Sequence, residues 1–213
     1  MVTLRELGVL RMKIIDQTFE ILTPLDSDKI LKNLEKIGRV SYKSEDLITE
    51  TSAKNFIKKI IENKHEAVIE HESISIKVIT DRGVSHEIVR HRIASYIQES
   101  TRFCNYSKDK FSNEIIYIKP VDFDLTEDDL ILLENIEQHY MKRLKQGLTP
   151  QQARYFLPNG LKTEIVITMN LREWRHFFKL RCHKTAHPQM RVMAKNILNK
   201  LNGIISIIFG DLV

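Results

Sequence analysis

Glycine is scarce in this chain, seven in 213 residues, and no two of them stand as G-x-G. That excludes the glycine-rich turn of a dinucleotide-binding Rossmann unit and the G-x-x-x-x-G-K-[ST] loop that wraps a phosphate in backbone N–H groups. Any nucleotide bound here must be held mainly by side chains. The hydrophobic pattern then selects the elements. Ile74, Ile76 and Val78 alternate with Ser75 and Lys77 across Ser73 to Thr80, the period of a half-buried strand. Further strands are expected from Met12 through Leu22, over 114–118 and over Lys162 to Met169. Helical spacing runs from a cap at Asp26 or Ser27 through Leu31, Leu34 and Ile37 to Gly38, and from Thr51 through Ala53, Phe56, Ile57, Ile60 and Ile61. Asp81 caps a helix through Val84, Ile88 and Val89 that delivers Arg90 and His91 at its end. Thr126 opens a long helix ending at Gly147. Thr149-Pro150-Gln151-Gln152 has the cap, the first-turn proline and the third-position glutamine of a short one. Leu171 to Arg181 and Pro188 toward Phe209 complete the helices, and the polar, aperiodic stretch Ser95 to Ser107 reads as loop.

With no internal repeat, low-complexity run or linker, the economical answer is one α+β domain over residues 12–213. Residues 1–11 read as an N-terminal extension, because Met12-Lys13-Ile14-Ile15-Asp16 resembles a natural start; an ordinary N-terminal helix is the alternative. A hydrophobic share of 42% with 29% charged residues suits a soluble globular chain. The net charge of +5 favours anionic partners, yet 33 basic residues are interspersed with 28 acidic ones, so an anionic small ligand is expected before a nucleic acid. Cys104 and Cys182, without C-x-x-C spacing, fit neither a disulfide framework nor a zinc site and point to a reducing compartment, the cytoplasm. The N-terminal stretch lacks the apolar core of a signal peptide, and no apolar run could span a bilayer, so no membrane partner is expected.

The chemistry concentrates in Arg90-His91-Arg92-Ile93-Ala94-Ser95-Tyr96-Ile97-Gln98-Glu99-Ser100-Thr101-Arg102. Guanidinium forks bind phosphate in a bidentate way, a serine hydroxyl adds a neutral donor, and histidine donates or accepts near neutral pH. Arg154, Arg172, Arg175, Arg181 and Arg191 extend the set, although any single arginine is more often a solvated surface charge. His65 and His71 lie six apart, not the four that put two ligands on one helical face, so no metal is expected. Ser100, flanked by arginines, reads as a phosphate ligand before a nucleophile. One rival reading takes Asp81 to Arg92 as a turn and a basic recognition helix for DNA or RNA. Another is a flavoprotein that reduces a different substrate.

Arg90-His91-Arg92 followed after seven residues by Ser100 and Arg102 resembles the signature of the flavin-dependent thymidylate synthases. His65 to His71 forms a second block of likeness. Ala153-Arg154, Leu157-Pro158, Asn170-Leu171-Arg172, His176-Phe177 and Leu180-Arg181 form a third. The resemblance implies a mixed α+β subunit with a central, largely antiparallel sheet, assembled as a homotetramer with active sites between subunits. It implies reductive methylation of dUMP to dTMP, with methylenetetrahydrofolate giving the carbon and NADPH the reducing equivalents through bound FAD. Hydride then passes from the flavin to the pyrimidine without an enzyme nucleophile. Residue by residue, it assigns Arg90, His91, Arg92, Gln98, Asn170, Leu171, Arg172 and His176 to FAD, with His65 near the flavin ring. It assigns Glu87, Ile88, Val89, Arg90, Gln98, Glu99, Ser100, Thr101, Arg102, Arg154 and Arg181 to dUMP. Phosphate falls to Ser100, Arg102 and Arg154, and the catalytic role at the pyrimidine edge to Arg181. Some members have Glu at the place of Gln98, Gln at that of Glu87 and a hydroxyl residue at that of Ala67. The carboxylate of Glu87 would repel a phosphate, so its side chain is expected to turn away or pair with an arginine.

Overall fold

The computed structural model describes residues 12–213; the expected extension over 1–11 lies outside the described residues. Among the described residues six strands and eight α-helices follow one another in mixed order, an α+β chain as its pattern predicts. The strands are β1 (Lys13–Ile15), β2 (Thr18–Ile21), β3 (Ser73–Asp81), β4 (Ser95–Gln98), β5 (Ile116–Ile118) and β6 (Lys162–Asn170). The helices are α1 (Ser27–Arg39), α2 (Ser52–Glu62), α3 (Arg82–Ile88), α4 (Glu127–Lys145), α5 (Pro150–Ala153), α6 (Leu171–Arg181), α7 (Pro188–Ile204) and α8 (Ser206–Phe209). An antiparallel sheet takes the order β2-β3-β6-β4, while β1 and β5 form a separate parallel pair. Among the described residues no helix is long and apolar enough to cross a membrane.

Four expectations change. The first predicted strand breaks at Asp16–Gln17 into β1 and β2, which join different sheets. Ser95 to Gln98 is not loop but an edge strand: its backbone pairs with β6, and its burial alternates without matching residue type, since apolar Ile97 is 78% exposed and polar Gln98 half-buried, so no hydrophobic period marks it in the sequence. The last helix breaks at Ile205 into α7 and α8. Finally, α1 runs past Gly38 to Arg39. That glycine is not a stop but a point of close approach, because a Cβ there would lie 2.8 Å from the Phe56 ring and 3.2 Å from Val68. Gly38→Ala is therefore expected to destabilise the chain by about 1–3 kcal/mol through overpacking, read as a lower urea midpoint, although alanine is the better helix former.

The chain divides into two compact units, both discontinuous in sequence. The first holds the described residues up to Thr18, then Val78–Val89 and Ile97–Ile165. Its core gathers Met12, Tyr106, Ile115, Tyr117, Tyr140, Ala153 and Leu161. Two buried carboxylates of α4 terminate its strands: Glu137 accepts from the Ile115 N–H at 3.1 Å and Glu134 from the Met12 N–H at 3.4 Å. Buried backbone donors need such partners where a ladder ends.

The second unit holds Phe19–Lys77, Arg90–Tyr96 and Val166–Val213. α6 presents Trp174, Phe177 and Phe178 inward, and its N-terminus is fixed by the Asn170 side chain, which accepts from the Glu173 N–H at 2.8 Å. Trp174 stacks on Phe178 at 5.6 Å between centroids, and its indole N–H donates to the Ile74 carbonyl of β3 at 3.0 Å. An apolar face is thereby locked by one hydrogen bond that buried indole requires.

Candidate active site

Arg90, His91 and Arg92 follow directly on α3, since Asp81 caps that helix, accepting from the Val84 N–H at 2.7 Å, and it ends at Ile88. A basic recognition helix through Arg92 is accordingly not formed; the arginines lie beyond the last turn. Arg90 and Arg92 are exposed, but His91 between them is turned inward and only 5% exposed.

In the second unit His91 is the hub of a polar chain. Its Nδ1 lies 3.2 Å from Oε1 of Glu173, and its Nε2 accepts from Nε of Arg181 at 2.9 Å. The ring packs 4.9 Å from Phe177 and 5.9 Å from His176, centroid to centroid. Tyr96 donates its hydroxyl to the His91 carbonyl, and burial, then the charge of Glu173, push its phenol up to about 12 against the opposing Arg181. Burial also holds the Glu173 carboxyl above its ordinary range, with His176 opposing. His91, Glu173 and His176 lie close enough to be weighed as metal ligands. Both ring nitrogens of His91 are engaged, however, and a guanidinium points at one of them, an arrangement hostile to a cation.

Beside this chain lies a cavity of about 430 Å³ lined by Glu66, Glu70, Ile93, Asn170, Arg172, Glu173, His176 and Lys179, a size usual for a small-molecule site. Three residues assigned to FAD, namely Asn170, Arg172 and His176, thus share one wall space. The donor set suits the polar edge of a flavin ring: Asn170 and His176 offer neutral polar groups and Ile93 an apolar surface, while the charges of Arg172 and Lys179 are met within the cavity by carboxylates. Glu66 and Glu70 already pair with cations: Glu70 with Arg172, and Glu66 with Arg175 at 3.3 Å, Lys179 at 3.6 Å and Arg172 at 3.7 Å. Leu171 is fully buried, so only its backbone can face a ligand, and His65 is exposed and does not line this cavity. Arg175 is not a ligand residue at all. At 3% exposure it is clamped by Asp211 at 2.6 Å and 2.7 Å, by Glu66 and by the Ile208 carbonyl.

The first unit gathers the other predicted residues. The capping box at Thr149 and Gln152 starts α5, which brings Gln151 to Arg102, with Nε donating at 2.9 Å, and Arg154 to the Thr101 hydroxyl at 3.4 Å. Ser100 accepts from the Arg102 N–H at 3.3 Å. Ser100, Thr101, Arg102 and Arg154 therefore form one cationic cluster with hydroxyl groups, the donor set for a phosphate. Glu99 does not share that role through its carboxylate, which accepts from Tyr106 at 2.7 Å and from Lys162 at 3.1 Å. Burial and then Glu99 raise the Tyr106 phenol. Gln98 donates its amide to Ser85 at 2.9 Å and Thr163 at 3.1 Å, so a ligand meets its carbonyl oxygen. Ile88 is buried in the core and can offer only backbone, whereas Glu87 and Val89 reach the surface in part.

Glu173 escapes sequence reading. As the third residue after the Asn170 cap it stands where a capping-box carboxylate reaches back, and nothing in the local pattern says that it turns to His91 instead, 82 residues away.

A family model described as thymidylate synthase complementing protein matches residues 25–205. The flavin-dependent thymidylate synthase of Geobacter sulfurreducens is 35% identical over 161 residues, covering 73% of this chain and 68% of that protein. That of Saccharolobus solfataricus is 33% identical over 187 residues, covering 84% and 70%. The crystal structure of the UMP/dUMP methylase PolB from Streptomyces cacaoi bound with 5-Br dUMP superposes with a TM-score of 0.73 at 21% identity, over 93% of this chain and 96% of that one, and so shares the fold. With the family model spanning most of the chain and relatives above 30% identity matching over most of its length, the chain belongs to the thymidylate synthase complementing proteins, the family of the flavin-dependent thymidylate synthases.

Proposed function

We propose that this chain methylates dUMP reductively to dTMP, with methylenetetrahydrofolate as carbon donor, NADPH as reductant and FAD as bound cofactor. The observation that carries the reading is the buried His91 holding Nε of Arg181, next to a cavity lined by Asn170, Arg172 and His176. Arg90, Arg92, Gln98, Asn170, Arg172 and His176 hold the flavin nucleotide, the arginines offsetting its pyrophosphate, while His91, with both ring nitrogens engaged, acts from behind them. Bound flavin supplies the hydride that the reduction needs. Ser100, Arg102 and Arg154 hold the dUMP phosphate.

Arg181 acts on the base. Methylation at C5 needs electron density in the uracil ring, and loss of the N3 proton pushes negative charge into it. A guanidinium fixed at the pyrimidine edge stabilises that charge as it develops, and because the group is already oriented the step carries little reorganisation cost. Ser100 serves as a phosphate donor and not as a nucleophile, in keeping with its contact to the Arg102 N–H. A homotetramer in the cytoplasm is part of the proposal, and the exposed Ile97, Phe103 and Tyr155 support contact between subunits.

The test is anaerobic. The purified flavoprotein is reduced with NADPH, given dUMP and methylenetetrahydrofolate, and assayed for dTMP and flavin reoxidation. Product that depends on both substrates is expected; reduced flavin without dTMP would leave a flavoprotein with another substrate. Ser100→Ala is expected to weaken dUMP binding by about tenfold to a hundredfold while turnover persists at saturation. Complete loss of turnover with intact dUMP affinity would instead make Ser100 a nucleophile.

A further inference from the structure

We infer that Glu173 is a positioning residue for the reaction, acting through His91 on the guanidinium of Arg181. The inference rests on the assignment of Arg181 to the pyrimidine made above. Arginine has donors only, so the 2.9 Å contact from Arg181 Nε requires His91 Nε2 to be bare. A neutral imidazole with a bare Nε2 carries its proton on Nδ1, and that nitrogen faces Oε1 of Glu173 at 3.2 Å. Glu173 therefore selects the tautomer. If the ring were reversed in protonation, Nε2–H would confront the Arg181 Nε–H, donor against donor, and the guanidinium would turn away.

The surroundings leave the chain little freedom. His91 and Glu173 are 5% and 7% exposed. Phe177 packs on the imidazole, and Tyr96 donates to the His91 carbonyl. Glu173 is itself fixed, because its N–H is held by the Asn170 side chain at the first turn of α6, the helix that ends with Arg181. One helix thus supplies both ends of the relay, and His91 joins them. Holding Nε–H sets the plane of the guanidinium, which is what an electrostatic role at a developing charge requires. A carboxylate that orients an imidazole and fixes its tautomer is a recurrent device; here the imidazole in turn orients an arginine.

The wild-type holoenzyme gives the first measurement. With 15N-histidine labelling, and His91 assigned by its loss in His91→Gln, Nδ1 is expected to be protonated and Nε2 bare; a protonated Nε2 would overturn the inference. Glu173→Leu, which cannot accept a hydrogen bond, is expected to lower kcat about a hundredfold with the KM for dUMP little changed, measured at saturating FAD because Glu173 also lines the cavity beside His176. Glu173→Gln keeps an acceptor and should restore most of the turnover. Wild-type kcat in Glu173→Leu, or a Gln variant as slow as the Leu variant, would refute positioning through the tautomer. If the Leu variant does not fold, the Gln variant and the wild-type spectrum decide. Arg181→Ala separates the two levels: full turnover there sinks the pyrimidine assignment, whereas its loss alongside a fully active Glu173→Leu sinks only the role of Glu173.

Discussion

Replacing Arg181 with alanine is expected to lower kcat for dTMP formation by about 10²- to 10³-fold while the purified protein stays yellow. The magnitude is that of removing one preorganised donor from a developing anion. Retention of flavin is expected because Arg181 does not line the cavity proposed above for the flavin, which Asn170, Arg172 and His176 share. Steady-state kinetics at saturating dUMP, with flavin measured by absorbance, check both halves. Loss of flavin together with turnover would place Arg181 in the cofactor shell, and unchanged kcat would remove it from the chemistry. Arg181→Lys is expected to recover little, since a point charge on a flexible stem cannot reproduce a planar fork held at Nε.

The second large effect concerns stability. Arg175→Ala is expected to cost about 3–5 kcal/mol, a fall in Tm on the order of 10 °C, because it leaves Glu66 and Asp211 without the buried cation that joins them. Arg172→Ala, on the same helix but half exposed, should cost about 1 kcal/mol or less. The difference is burial: the Arg175 side chain is 3% exposed and ties the C-terminal Ile208 and Asp211 to α6. The Arg175 guanidinium holds the Asp211 carboxyl below its ordinary value. A carboxylate whose folded pKa is depressed contributes stability that is complete above its unfolded pKa and is lost as pH falls through the folded one. Urea midpoints should therefore drop on acidification below about pH 4, and this part of the drop should vanish in Arg175→Ala. An equally steep acid loss in the variant would show that other carboxylates set it.

Local rules carried most of the elements, because they depend on neighbours in the chain. The caps at Asp26, Asp81 and Thr126, the box at Thr149 and Gln152, and the alternation in β3 each involve residues no more than a few positions apart. Where partners are distant the pattern fails. β4 is a strand only because β6 lies beside it, and Gly38 interrupts no helix because its role is to admit Phe56. The same division runs through the site. The family resemblance marked Arg90, His91, Ser100, Arg102, Arg154 and Arg181 as a set, and Glu173 and Tyr96 carried no such mark.

By itself the sequence determined most of the helices and strands, the absence of a glycine-rich phosphate loop, and the chemical inventory of cationic and hydroxyl donors. Only the tertiary structure decided what each arginine does. Arg175 and Arg181 lie six positions apart on one helix with the same functional group. One is buried against two carboxylates and joins the helix to the C-terminus, and the other is held at Nε by a histidine 90 residues away. A guanidinium's role follows from its desolvation and from the acceptors it meets, and both depend on packing between segments far apart in the chain.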